Sequence, residues 1–220
     1  MENRQAERHG GEQRLHGRGS DGIPGGRESG YEPPEWGEIE LRILDAAAEL
    51  VAARGLEGLT VTALAKRAGV SRPTVYRRWP GTDEIVRATL LRTTLSLIER
   101  LGPLPGTREG LVDTVLRFSS LFRADPLYRS LLERQPELFT RYSLERIGSS
   151  QRALLQWIAA AIEAGQDDES VRRSDPGEMS VMLLLIAQSA VLSHHSVSAL
   201  IGEEELDAQL RVAIDGFLRP

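Results

Sequence analysis

Apolar residues recur every three or four positions from residue 38 onward, the spacing of helices that bury one face. The first such stretch, 39–54, ends at Gly55, a residue that commonly follows a helix. Long strand-like alternation is absent from the sequence. The sequence therefore predicts an all-α protein of about nine helices. The remaining predicted helices span 62–68, 72–79, 83–101, 108–123, 127–134, 137–164, 176–194 and 203–218.

Composition and glycine–proline breaks divide the chain into three regions. Residues 1–36 are rich in Gly, Arg, Glu and Pro and nearly lack aliphatic residues, so burial cannot offset their ordering entropy. We expect a disordered tail there, a small helical domain over 37–86 and a larger helical domain over 87–220.

Several classes of protein are disfavoured by composition. The 220-residue chain has no cysteine, which excludes disulfides and thiolate metal sites. The longest apolar run, Val181–Leu192, is shorter than the roughly 18 residues needed to cross a membrane. The N-terminus has no apolar signal-peptide core. We expect a cytoplasmic protein without a metal or cofactor.

The charge distribution points to nucleic acid, although the net charge of −5 alone argues against it. Residues 58–82 contain five basic residues and no acidic one. A local basic patch can bind phosphates while the acidic remainder keeps the protein soluble.

The same segment has the pattern of two short helices joined by a tight turn. Gly69 supplies the positive φ that such a turn needs. Ser71 is placed to cap the second helix, and Pro73 is tolerated in its first turn. A three-residue turn containing Gly between short helices is the helix-turn-helix pattern. The exposed face of the second helix would then carry Arg72, Thr74, Tyr76, Arg77 and Arg78.

These side chains suit duplex DNA. Arginine can bind guanine O6 and N7 through two hydrogen bonds, and the threonine methyl can contact thymine. Tyrosine hydroxyls and other arginines suit phosphate oxygens. Arg78 is either a phosphate contact or a solvated charge. The candidate DNA-binding set also includes Ser71 and Pro73 at the helix start.

The stretch from Leu59 to Val86 resembles the DNA-binding domain of the TetR family. The matching positions are Thr60-Val61, Leu64-Ala65, Ala68-Gly69-Val70-Ser71, Thr74-Val75-Tyr76 and Trp79. The resemblance implies DNA contacts at Thr60, Arg72, Thr74, Tyr76 and Arg77. Thr82 stands where the family usually has Lys. At this position only the threonine hydroxyl and a backbone N–H of the helix N-terminus are left to bind a phosphate.

The resemblance also implies a homodimer, in which the last two helices pair with those of a second copy. The run Val181–Leu192 is apolar nearly all round, and such a helix must be buried in a core or against a partner. Filling the protomer's own core is the alternative. The candidate interface residues are Met182, Leu185, Ser189, Leu192, Leu206, Leu210, Ile214 and Phe217.

The middle helices supply candidates for a small-molecule pocket, since bundles bind ligands between helices lined by apolar and aromatic residues. Ordinary core packing is the alternative for each residue. The candidates are Phe118, Phe122, Tyr128, Leu131, Phe139, Tyr142, Trp157 and Gln188.

The sequence thus predicts a ligand-responsive transcriptional regulator. The resemblance implies a repressor that binds a palindromic operator and is released by a small-molecule effector. A helical DNA-binding protein without a ligand is the first alternative. A helical-bundle enzyme is disfavoured, because common nucleotide-binding, hydrolase and metalloprotease motifs are absent from the sequence.

Overall fold

The computed structural model describes residues 34–137, 139 and 147–220. These ranges contain nine α-helices and one 3-10 turn (Leu56–Gly58) and no strand, which confirms the predicted all-α class. The expected disordered tail lies mostly outside the described residues. The helices are α1 (Glu38–Arg54), α2 (Val61–Ala68), α3 (Arg72–Arg78), α4 (Thr82–Glu99), α5 (Arg108–Ala124), α6 (Pro126–Arg134), α7 (Ser149–Asp167), α8 (Pro176–Val197) and α9 (Glu203–Leu218).

The single helix predicted over 137–164 is wrong in two respects. Residues 147 and 148 are not helical, and α7 begins only after Gly148, whose N–H donates to Gln151 Oε1 at 3.1 Å. At the other end, α7 continues past Gly165 to Asp167. Gly165 is needed for close packing, because a Cβ atom there would lie 2.5 Å from Cγ2 of Val171.

Two apolar clusters form the core of the described chain. The first joins α1–α4 to α6 and Phe139, with Ile43, Leu64 and Ile85 fully buried. The second joins α5, α7, α8 and α9. Helix α4 packs against α7, and α1 packs against α6. Through these contacts α1 and α4 connect the N-terminal helices α1–α4 to the rest of the described chain.

Helix α8 is the longest described helix, with 22 residues. Among the described residues it is the one helix whose length and composition would allow it to cross a membrane. It packs against α7 and α9 on one side. Met182 and Leu185 on its other side remain 47% and 49% exposed.

Candidate nucleic-acid interface

Helices α2 and α3 form a compact pair whose ends are fixed by local hydrogen bonds. Thr60 Oγ1 accepts from the N–H of Ala63 at 3.1 Å and caps α2. Gly69 ends α2 with φ 66° and ψ 35°, in the left-handed region that glycine adopts without strain. Ser71 Oγ accepts from the N–H of Thr74 at 3.2 Å and caps α3. The predicted turn and the predicted Ser71 cap are confirmed.

The inner face of this pair is held by apolar packing. Leu64 of α2 and Val75 of α3 are completely buried, and Trp79 just after α3 is nearly so. All three belong to the cluster shared with α1 and α4. Because the inner side of α3 is anchored in this way, its outer side is presented in one fixed orientation.

The outer face carries most of the predicted DNA contacts. Arg72, Tyr76 and Arg77 are exposed on α3, and Tyr76 is 55% exposed although it carries a large aromatic ring. Thr74 is half-buried, and its hydroxyl lies 2.8 Å from Ser71 Oγ. The other candidates that are exposed are Thr60, Ser71, Pro73, Arg78 and Thr82.

The five cations of residues 58–82 divide into two groups. Arg67 pairs with Glu49 of α1, and Arg78 Nη1 lies 2.9 Å from Glu40 Oε1. Within the described part of the chain, Lys66, Arg72 and Arg77 form no ion pair or side-chain hydrogen bond. Arg72 and Arg77 are therefore the arginines of α3 that have no ion pair or side-chain hydrogen bond with any described residue.

Arg78 belongs to an internal bridge that the sequence did not reveal. Oε1 of Glu40 accepts a hydrogen bond from Arg78 Nη1 at 2.9 Å, and Oε2 accepts one from the N–H of Gly37 at 2.7 Å. The carboxylate thus connects the start of α1 to the end of α3. Glu40 lies 38 positions before Arg78, and no local pattern indicated that the two would meet. For Arg78 the sequence indicated only a phosphate contact or a solvated charge.

Thr82 is the first residue of α4, one position earlier than predicted. It is exposed, and the N-terminal N–H groups of α4 lack intrahelical partners. Asp83 and Glu84 occupy the same turn. These carboxylates weaken the case for strong phosphate binding at this end of α4.

The aromatic candidates for a ligand pocket partly come together. Phe122 of α5 lies 6.2 Å from Phe118 and 6.2 Å from Phe139, measured between ring centroids. It also stacks on Tyr128 of α6 at 4.0 Å. We call these four residues the aromatic cluster.

The other ligand candidates divide between two places. Leu131 is 2% exposed and belongs to the same apolar cluster as Tyr128 and Phe139. Trp157 packs against the second core cluster, and Gln188 Oε1 accepts from Gln151 Nε2 at 3.2 Å. Tyr142 lies outside the described residues. The structure therefore separates the predicted set into two regions.

The hydroxyl of Tyr128 ties α6 to α4. It donates to the carbonyl oxygen of Leu90 at 3.0 Å and lies 2.6 Å from Thr94 Oγ1. Burial raises the pKa of this phenol well above its usual range. The hydroxyl therefore stays protonated at neutral pH and remains a hydrogen-bond donor.

The candidate interface residues divide into buried residues and residues that are at least partly exposed. Leu210 and Ile214 were predicted at the interface but are 4% and 0% exposed, because α9 turns them into the protomer's own core. That part of the prediction is corrected. Met182, Leu185 and Ser189 are exposed on α8. The remaining candidates, all half-buried, are Leu192, Leu206 and Phe217.

Comparison with known proteins gives the family. Residues 43–89 match the model described as bacterial regulatory proteins of the tetR family. An HTH-type transcriptional regulator from Mycobacterium bovis is 39% identical over 178 residues, which cover 80% of this chain and 93% of the relative.

Solved structures share the fold. The R. erythropolis transcriptional repressor QsdR, from the TetR family, has a TM-score of 0.62 at 21% identity, covering 83% of this chain and 96% of that one. FadR from Bacillus subtilis, in complex with stearoyl-CoA, has a TM-score of 0.57 at 18% identity, covering 81% and 99%. With its capped helix-turn-helix and its match over 80% of its length, this chain belongs to the TetR family of HTH-type transcriptional regulators.

Proposed function

We propose that the protein is a cytoplasmic, homodimeric repressor. It binds a palindromic operator and is released from it by a small-molecule effector. The observation that carries the proposal is the outer face of α3. It presents Arg72, Tyr76 and Arg77 without partners among the described residues, on a helix anchored by Val75. Such a surface suits duplex DNA, which offers phosphate oxygens and the hydrogen-bonding edges of its bases.

A dimer is supported by the apolar surface of the last two helices. Met182 and Leu185 of α8 and Val212 of α9 are between 47% and 66% exposed. These two helices pack against each other. We infer that their exposed apolar residues contribute to one dimerisation surface, since a contiguous exposed apolar patch marks an interaction site. Two copies joined there would present two α3 helices, matching the two half-sites of a palindrome.

Footprinting on a selected duplex tests the DNA-binding proposal. Duplexes bound by the purified protein are enriched from a random-sequence pool, sequenced and footprinted. We expect an inverted repeat with half-sites about one helical turn, 34–36 Å, or a multiple of it apart. Enrichment of no sequence, or of a single half-site bound by a monomer, would contradict the proposal.

An effector is supported by the aromatic cluster between α5 and α6 and by the stearoyl-CoA bound to FadR. We expect a screen of small apolar compounds to find one that raises the melting temperature and also weakens binding to the selected duplex. A ligand at 100 times its Kd adds about 2.7 kcal/mol of stability. If stabilising compounds leave DNA binding unchanged, the alternative of a DNA-binding protein without an inducer gains support.

Arg78 provides a further prediction, because its pairing with Glu40 indicates that it orients α3 instead of binding phosphate. Each phosphate that a protein neutralises contributes about 0.9 to the slope of log Kd against log salt. We expect Arg78→Ala to weaken binding with an unchanged slope. Arg77→Ala should weaken binding and reduce the slope by about 1.8, because a dimer would neutralise one phosphate with each copy of Arg77. Equal slope changes in the two variants would identify Arg78 as a phosphate-binding residue.

A further inference from the structure

Helix α6 belongs to the C-terminal half of the chain, yet its polar side chains bind the end of α1. Ser130 Oγ donates to the carbonyl oxygen of Val51 at 2.8 Å in a buried position. Gln135 Oε1, just after α6, accepts from the N–H of Leu56 at 2.8 Å. Arg134 adds a longer bond, 3.3 Å, to the carbonyl oxygen of Ala53. We call these three bonds the α6 clamp.

The clamp acts at the end of α1, where the last carbonyls of a helix generally lack intrahelical partners and a partly buried N–H left unpaired is costly. The carbonyl oxygen of Val51 already accepts from the N–H of Gly55 at 2.8 Å, so Ser130 gives it a second bond, whereas Gln135 supplies the acceptor for the N–H of Leu56. Leu56 opens the 3-10 turn that leads directly to Thr60, the cap of α2. Gln135 therefore holds the corner from which the helix-turn-helix extends.

The opposite end of α6 reaches α4 and the aromatic cluster. Tyr128 donates to the carbonyl oxygen of Leu90 and stacks on Phe122 at 4.0 Å. Nine residues of helix span only about 13 Å. This short helix thus contacts α1, α4 and α5 at once, so its polar side chains are held in one position relative to the end of α1.

We propose that Gln135 and Ser130 are positioning residues for DNA binding. Through α1 and the 3-10 turn they fix the helix-turn-helix against the C-terminal half. The proposal rests on the proposed DNA-binding function.

The first test compares two substitutions at Gln135, using the full chain and the duplex selected by the wild type. Gln135→Met keeps the side-chain length but removes the oxygen that accepts from Leu56. Gln135→Glu keeps an acceptor in the same place. We expect Gln135→Met to raise the Kd for the duplex roughly tenfold and Gln135→Glu to stay within about threefold of the wild type.

The second test measures coupling in the opposite direction by amide hydrogen exchange. Coupling between two sites is reciprocal, so DNA bound at α3 should slow exchange in α6 of the wild type. We expect that slowing to disappear in the double variant Ser130→Ala, Gln135→Met. Arg129→Ala is the control, because Arg129 lies on the same helix but bonds to the carbonyl oxygen of Ala124 and not to α1.

The outcomes separate this inference from the proposed function. If the wild type binds no selected duplex, the function fails and the inference fails with it. If it binds but Gln135→Met and Gln135→Glu have equal affinities, or DNA leaves α6 exchange unchanged, only the inference is overturned. A lower melting temperature in Gln135→Met without a change in affinity would also overturn it, since it would show a role in stability alone.

Discussion

Replacing Arg72 by alanine is expected to lower the affinity for the selected duplex by roughly 30-fold to 10⁴-fold. Arg72 is exposed in the first turn of α3 and has no ion-pair partner among the described residues. A bidentate contact from arginine to guanine contributes about 1–3 kcal/mol of discrimination. A dimer makes the contact twice, for about 2–6 kcal/mol, and each 1.4 kcal/mol is a factor of ten. Fluorescence anisotropy with labelled duplex measures the decrease in affinity.

The control for this prediction is Arg173→Ala, because Arg173 is exposed in the loop before α8 and its removal changes the net charge equally. We expect that variant to bind like the wild type. Binding to a scrambled duplex should change far less in Arg72→Ala than binding to the selected one. An equal decrease on both duplexes would mean that Arg72 contacts the phosphate backbone and does not read bases.

Replacing Leu185 by glutamate is expected to separate the proposed dimer and to abolish tight binding to the selected duplex. Leu185 lies on the exposed apolar face of α8, 49% exposed in the protomer. In the proposed interface this substitution would bury a carboxylate without a partner, and an unpaired buried charge is strongly unfavourable. The monomer would retain one α3 helix and forgo the gain from binding two half-sites together. Sedimentation velocity gives the oligomeric state, and anisotropy gives the affinity.

Leu104→Glu provides the matched control for the dimer prediction. Leu104 is 43% exposed in the segment between α4 and α5, so the same chemical change is made at an apolar residue of similar exposure. We expect this variant to remain dimeric, and both variants to keep wild-type helical content by circular dichroism. A dimeric Leu185→Glu protein would exclude this face of α8 as the interface.

The helix-turn-helix was largely predictable because its determinants are local. The capping bonds that Thr60 accepts from the N–H of Ala63 and Ser71 accepts from the N–H of Thr74 each span three residues. Gly69 sets the turn by its own backbone conformation. Helical spacing likewise located most of the other elements. It failed at Gly148. The predicted helix continued through that position, whereas the backbone of Gly148 is extended and α7 begins after it.

It was less predictable which charged side chains form ion pairs and which apolar side chains are buried. Arg77 and Arg78 are neighbours with the same side chain, yet the structure pairs Arg78 with Glu40 and leaves Arg77 unengaged within the described residues. Leu185 and Ile214 both lie on apolar helical faces, yet only Ile214 is buried in the protomer. A helix's rotation about its axis relative to its neighbours decides such differences, and a single-helix pattern does not contain it.

The sequence by itself determined the class of this protein and the segment through which it meets DNA, because caps, turns and helical spacing depend on residues a few positions apart. Only the tertiary structure decided which arginine is free to bind, which leucines face outward, and that Gln135 binds Leu56 across 79 positions. Those contacts arise from the packing of whole helices, whose hydrogen bonds and ion pairs join residues far apart in the chain.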